Sequence, residues 1–148
     1  MTYTRKQLET FLALEDFQEI YAQADALRAE TVGDIVHIRA LLEFSNHCKR
    51  LCCYCGLNAT DKNLPRFRMD PRDMISTAQE ACQAGYKTIV LQSGEDPWYT
   101  PDMIGEVVKQ IKKTGMAVTL SCGEHPESVY QYWRDCGADR YLLKHETS

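Results

Sequence analysis

Apolar spacing gives the first elements. Phe17, Ile20, Tyr21, Ala24 and Leu27 recur at helical intervals and predict an amphipathic helix over about 14–30. A shorter helix is predicted before it, around 7–14, and Gly33 closes this N-terminal segment. The run from Val36 to Phe44 reads as a short strand. A cysteine-bearing loop and a long polar stretch then carry the chain to Arg68.

Beyond Arg68 the pattern alternates. Asp70 is placed to cap a helix with Pro71 in its first turn, where the missing N–H costs nothing. Met74, Ile75, Ala78, Ala81 and Cys82 form its apolar face, and Gly85 ends it. Lys87 to Gln92 is a compact apolar strand. Thr100 and Pro101 open the next helix, with Ile104, Val107, Val108 and Ile111 inward and Gly115 at its end. Ala117 to Ser121 is a third strand. Pro126 starts a helix carrying Val129, Tyr132, Trp133 and Cys136, which Gly137 stops, and Arg140 to His145 is the last strand.

Repeated β–α units with short buried strands imply an α/β fold on a parallel sheet with right-handed crossovers. A βα barrel and a doubly wound sheet are the candidates. The G-x-G-x-x-G phosphate fingerprint is absent, which favours the barrel. A complete eight-unit barrel takes about 250 residues, and only four strands are legible. The expectation is therefore a helical segment over 1–35, followed over 36–148 by the N-terminal part, about half, of a partial barrel belonging to a larger protein.

Composition narrows the class. The 148 residues are 44% hydrophobic and 26% charged, which excludes a disordered or low-complexity chain and suits one domain. Seventeen basic against 21 acidic residues give a net charge of −4, so nothing recommends a nucleic-acid or anionic-membrane partner. No apolar run approaches the roughly 20 residues of a membrane span. The polar N-terminus has no signal core, and the expected location is the cytoplasm.

The chemistry sits in the cysteines. There are seven, and four fall between Cys48 and Cys55. In a reducing compartment such a cluster suggests metal before disulfides. Cys48, Cys52 and Cys55 have the spacing C-x3-C-x2-C, with Tyr54 just before the last. Three thiolates can take three corners of a 4Fe–4S cluster, which normally has four cysteine ligands, leaving one iron open. An open position marks a catalytic metal centre. The loop follows a strand end, where barrel enzymes place their chemistry. The other reading is zinc, although no second cysteine pair completes such a site. Cys82 and Cys136 read as small core residues, and Cys53 as a bystander.

With C-x3-C-x-Tyr-C on a βα scaffold, the chain resembles the radical S-adenosylmethionine (SAM) enzymes. Further segments carry the likeness in order: Cys55-Gly56-Leu57, Arg66-Phe67-Arg68-Met69, Thr88 to Pro97, Val118 to Glu124, and Ala138 to Thr147. Within the superfamily they resemble the maturases of FeFe-hydrogenase, with biotin synthase and methylornithine synthase as near relatives.

The resemblance implies a cluster held by Cys48, Cys52 and Cys55, with SAM chelated on the free iron. Reductive cleavage of SAM there yields methionine and a 5′-deoxyadenosyl radical. It implies SAM contacts from Tyr54 beside the adenine, from Ser93, Gly94 and Glu95 at the methionine moiety, and from Glu146 at the ribose. Gln92, Thr119, Arg140 and Lys144 match inward-facing substrate positions, Lys144 standing where arginine is expected and lacking its planar fork. No residue matches a separate catalytic role. The implied partners are a small-molecule or organometallic substrate, an electron donor such as reduced ferredoxin or flavodoxin, and other hydrogenase maturases. Period-two alternation independently puts Arg140, Leu142, Lys144 and Glu146 on one strand face. Each of these residues also has a plainer reading: a rim ion pair for Arg140 and Glu146, a satisfied core amide for Gln92, an ordinary strand residue for Thr119. The alternatives for the whole chain are a biotin-synthase-like or methylornithine-synthase-like enzyme, or a non-catalytic metal-binding fragment.

Overall fold

A computed structural model describes residues 3–144, and its contacts divide the chain into two units, Met1–His37 and Ile38–Ser148. In the first, α1 (Arg5–Leu12) starts where Thr4 and Gln7 form a reciprocal capping box. That cap sets the helix earlier than its apolar spacing predicts. Asp16 accepts the Gln18 N–H at 2.9 Å, so α2 (Gln18–Val32) begins later than predicted, and Leu14 lies in the connection. Neither helix buries a residue.

The second unit runs β1 (Ala40–Ser45), α3 (Pro71–Gln83), β2 (Thr88–Ser93), α4 (Pro101–Lys112), β3 (Ala117–Ser121), α5 (Glu127–Asp135) and β4 (Arg140–Tyr141). Asp70 and Thr100 cap α3 and α4 as predicted, accepting from the Arg72 and Met103 N–H groups. The C-terminal turns of α3 and α4 lead into Gly85 and Gly115, both at positive φ (95° and 82°), which glycine adopts without strain.

All four strands are parallel, in the order β1-β2-β3-β4. A doubly wound sheet would reverse direction somewhere in that order. Here each strand lies beside its predecessor, and the apolar faces of all three helices join one core. Met74 and Ala78 of α3, Ile104, Val107, Val108 and Ile111 of α4, and Trp133 of α5 meet Leu42, Leu91 and Leu120. The helices therefore cover one face of the sheet, as in an arc of a barrel.

Register assigns every strand residue a face. Leu42, Leu91, Leu120 and Tyr141 form a row toward the helices. Leu41, Val90, Thr119 and Arg140 form a row on the other face. Glu43, Gln92 and Ser121 form the next row of that face, nearer the strands' C-terminal ends.

Two strand predictions are corrected. Pairing of β1 begins with Ala40 opposite Ile89, and Val36 and Ile38 before it are exposed because β2 offers them no partner. The last strand holds only Arg140 and Tyr141. The last ladder bond runs from the Leu142 N–H to the Leu120 carbonyl at 2.8 Å, and the Tyr141 hydroxyl donates to the Gly123 carbonyl at 2.6 Å just past the end of β3. The alternation predicted over Arg140, Leu142 and Lys144 thus has no strand beneath it past Tyr141. His145 and Glu146 lie outside the described residues.

Candidate cluster and cofactor site

The cysteine loop leaves β1 at Ser45 and returns at Arg68, which bridges back to Ser45 in antiparallel fashion. One guanidinium organises it. Arg66 donates to the carbonyls of Asn46, Leu57, Asn58 and Asp61, tying both ends of the loop to its middle. Four charge-assisted bonds satisfy carbonyls that no sheet ladder can reach. Inside this frame the Arg50 N–H donates to the Cys48 sulfur and the Leu57 N–H to the Cys55 sulfur, each at 3.4 Å. Both bonds hold a cysteine sulfur in place from its own loop backbone.

Cys48, Cys52 and Cys55 line a single cavity of about 630 Å³ at the C-terminal ends of the strands. Tyr54 lines it from the same loop, and Gln92, Ser93, Gly94 and Glu95 from the end of β2. Leu142, Leu143 and Lys144, past β4, also line it. Thr119 and Arg140 are not in the lining. They face each other across β3 and β4 one row deeper in the sheet. Glu146 belongs to the residues that the structure does not describe. Cys53 points out to solvent, and Cys122, which lies beneath the sheet end, has its thiol pushed up to about 12 by burial.

The strip after β2 is pressed against the cysteine loop. A Cβ at Gly94 would overlap the His47 carbonyl and the Cys48 side chain. The Lys49 N–H donates to the Glu95 carbonyl at 3.0 Å. Glu95 itself, 9% exposed, receives Arg50 at 2.7 Å, Lys49 at 3.3 Å and the Glu124 N–H at 2.9 Å. Burial opposes its charge, but these three donors outweigh burial and hold the carboxyl below its usual range. Room for the side chain comes from Gly123, where any Cβ would overlap it.

A second carboxylate follows at once. The Asp96 side chain is fully buried and takes a two-pronged bond from Arg68, at 2.7 and 2.9 Å, plus the Ser45 hydroxyl at 2.7 Å. Again burial raises and the bonds lower, with a net downward shift. Asp96 thereby joins the end of β1, the return of the loop and the end of β2.

Several of these residues were not singled out from sequence. Glu43 was legible in principle, because Leu42 and Phe44 are buried and alternation turns Glu43 to the opposite face, into the cavity. Its carboxylate lies 3.4 Å from the Gln92 amide. Arg50, Gly123, Glu124, Arg68 and Asp96 depend on contacts between distant segments, for which a single sequence holds no local signal.

The residues fit an iron–sulfur cluster. Three soft thiols surround one cavity, and two of them already receive backbone N–H groups. Among the described residues no three His, Cys, Asp or Glu side chains converge on a point for a lone ion. Residues 42–148 match the family model of the radical SAM superfamily.

The chain belongs to the radical SAM superfamily. The superfamily's cofactors are a 4Fe–4S cluster and SAM, and its members are enzymes. Over 99% of its length the chain is 54% identical to the [FeFe] hydrogenase maturase subunit HydE of Thermotoga maritima, of which it covers 43%. It is 29% identical, over 90% of its length, to 3-methylornithine synthase of Methanosarcina acetivorans, covering 39% of that protein. The crystal structure of a methylornithine synthase superposes with a TM-score of 0.86 at 27% identity, over 97% of this chain and 44% of that one. The chain spans less than half the length of these relatives. Like them it is a radical SAM α/β fold of barrel type. No helix among the described residues is long and apolar enough to cross a membrane.

Proposed function

We propose that the chain is the cluster- and SAM-binding portion of a FeFe-hydrogenase maturase of the HydE kind, working in the cytoplasm. The observation that carries this reading is the convergence of the three cysteines, Tyr54 and the Ser93–Glu95 strip on one cavity, in a chain 54% identical to HydE. In it Cys48, Cys52 and Cys55 would hold the cluster through three of its irons, leaving one iron for SAM. When bound, the cluster and SAM supply an electron and a primary carbon radical, chemistry that no side chain provides.

The chain's own residues do the placing. Tyr54 would flank the adenine, the Ser93–Glu95 strip would meet the methionine end, and Glu146 would hold the ribose. Gln92 and Lys144, on the cavity wall, orient the polar groups of a sulfur-bearing, cysteine-derived iron carbonyl–cyanide precursor, with Thr119 and Arg140 beneath them. Lys144 acts as a point charge and not as a fork, so it attracts an anionic group without fixing its angle. The helix-covered face keeps water from one side of the sheet, and the cavity on the other admits the ligands. A reduced ferredoxin or flavodoxin supplies the electron, and other maturases take the product.

Anaerobic reconstitution with iron and sulfide, followed by EPR of the reduced protein with and without SAM, tests the reading. About four irons per chain and a signal that changes on adding SAM are expected. A chain that takes up zinc alone, or a cluster whose spectrum ignores SAM, overturns it.

A further inference from the structure

The carboxylate of Glu95 is largely occupied by the chain itself. Its two oxygens already receive the Arg50 guanidinium, the Lys49 ammonium and the Glu124 N–H, and the side chain is 9% exposed. A carboxylate offers about four lone-pair positions, and three are taken. A further cation arriving there would meet two that are present already.

What those bonds join is more telling. Arg50 lies between the first two cysteines of the loop, Glu95 follows β2, and Glu124 follows β3. Arg50 spans both acids, with Nε 2.7 Å from Glu95 and a terminal nitrogen 2.7 Å from Glu124. Its backbone N–H is the group that donates to the Cys48 sulfur. The Lys49 N–H on the Glu95 carbonyl fixes the same turn from the other side.

We propose that Glu95 acts through the chain and not on the ligand: Arg50, Glu95 and Glu124 form a clamp that sets the position of the first cysteine, and Arg50 is its transmitting residue. This rests on the cluster-and-SAM reading above and refines it. The backbone of the Ser93–Glu95 strip would be left to meet the methionine end of SAM, while the acid side chain holds the cysteine loop against the ends of β2 and β3. Arg50, Gly123 and Glu124 become positioning residues of the site. Gly123 belongs with them because a Cβ there would occupy the space of the Glu95 side chain.

A double-mutant cycle on the reconstituted protein decides the matter. Arg50→Gln, Glu95→Gln and the pair are compared by the EPR spectrum of the reduced cluster before SAM is added, and by spectral titration with SAM. Two residues of one clamp are not additive. Each single change is expected to weaken SAM binding about tenfold and to alter the SAM-free spectrum in the same way, with the double variant no worse than either. Arg50→Lys, which keeps a cation beside Glu95, is expected to recover most of the affinity. If Glu95 touches SAM directly, Glu95→Gln leaves the SAM-free spectrum unchanged and its loss adds to that of Arg50→Gln; either result overturns the proposal. Where a variant takes up no iron, amide exchange at Lys49 in the metal-free protein supplies the readout. Faster exchange in both single variants supports the clamp, and wild-type protection in Glu95→Gln overturns it. A wild-type spectrum blind to SAM instead overturns the underlying reading, so the two failures are distinct.

Discussion

Leu91 and Gln92 are neighbours in the chain and belong to different worlds. Leu91 is wholly buried among the helices, in one row with Leu42 and Leu120. Gln92 turns the other way, into the cavity, in one row with Glu43 and Ser121. The helix-covered face is closed by apolar packing, whereas the opposite face is organised by ions and amides. Stability and chemistry are thus divided between the two sides of one sheet, and period-two alternation makes the division at every residue.

The largest break in that comparison comes from the closed side. Trp133→Ala or Leu91→Ala leaves a cavity in close-packed surroundings, and either is expected to lower the unfolding free energy by about 3–5 kcal/mol in urea titrations. A loss under about 1 kcal/mol would show that the helices do not carry the fold.

Next comes a fully buried carboxylate on the open side, held by an ion pair. Asp96→Asn removes the partner of Arg68 from a fully buried position and is expected to cost about 1–3 kcal/mol. The sign with pH follows from its lowered carboxyl. Asp96 binds its proton more weakly folded than unfolded, so its contribution is full above the ordinary carboxylate value of about 4. It is lost as pH falls through the lower folded value. The stability gap between wild type and Asp96→Asn should therefore close on acidification, and a gap that widens would refute the assignment.

The smallest effect sharpens the contrast. Gln92→Ala and Glu43→Gln, on the open face, are expected to change stability by less than about 0.5 kcal/mol. Their effect should appear in ligand titrations alone. A large loss of stability from Gln92→Ala would make it a core amide.

The elements that were legible in the sequence are those made by local rules. Asp70 and Thr100 announce α3 and α4 because a cap is a contact within three residues. The cysteine spacing was legible for the same reason, since eight consecutive positions make most of their own geometry. The end of the last strand was not, because it depends on where β3 stops and on the Tyr141 hydroxyl at Gly123. Nor were the partners of Glu95 and Asp96, which come from segments 45 and 28 positions away. Register, not composition, brought Glu43 into the cavity. The resemblance named candidate residues for the cofactor but left unread the ones whose bonds tie those segments together.

The division of the sheet also gives the molecule a pair of built-in optical probes. Of its two tryptophans, Trp133 is 2% exposed in the helix-side core and Trp98 is 47% exposed, with the Arg68 guanidinium 5.7 Å from its ring centre. The first should emit toward the blue and resist a dissolved quencher, while the second should emit toward the red and be quenched readily. Selective excitation and quenching would then follow the packed core through Trp133 and the Arg68–Asp96 pair through Trp98 in one sample, without an added label.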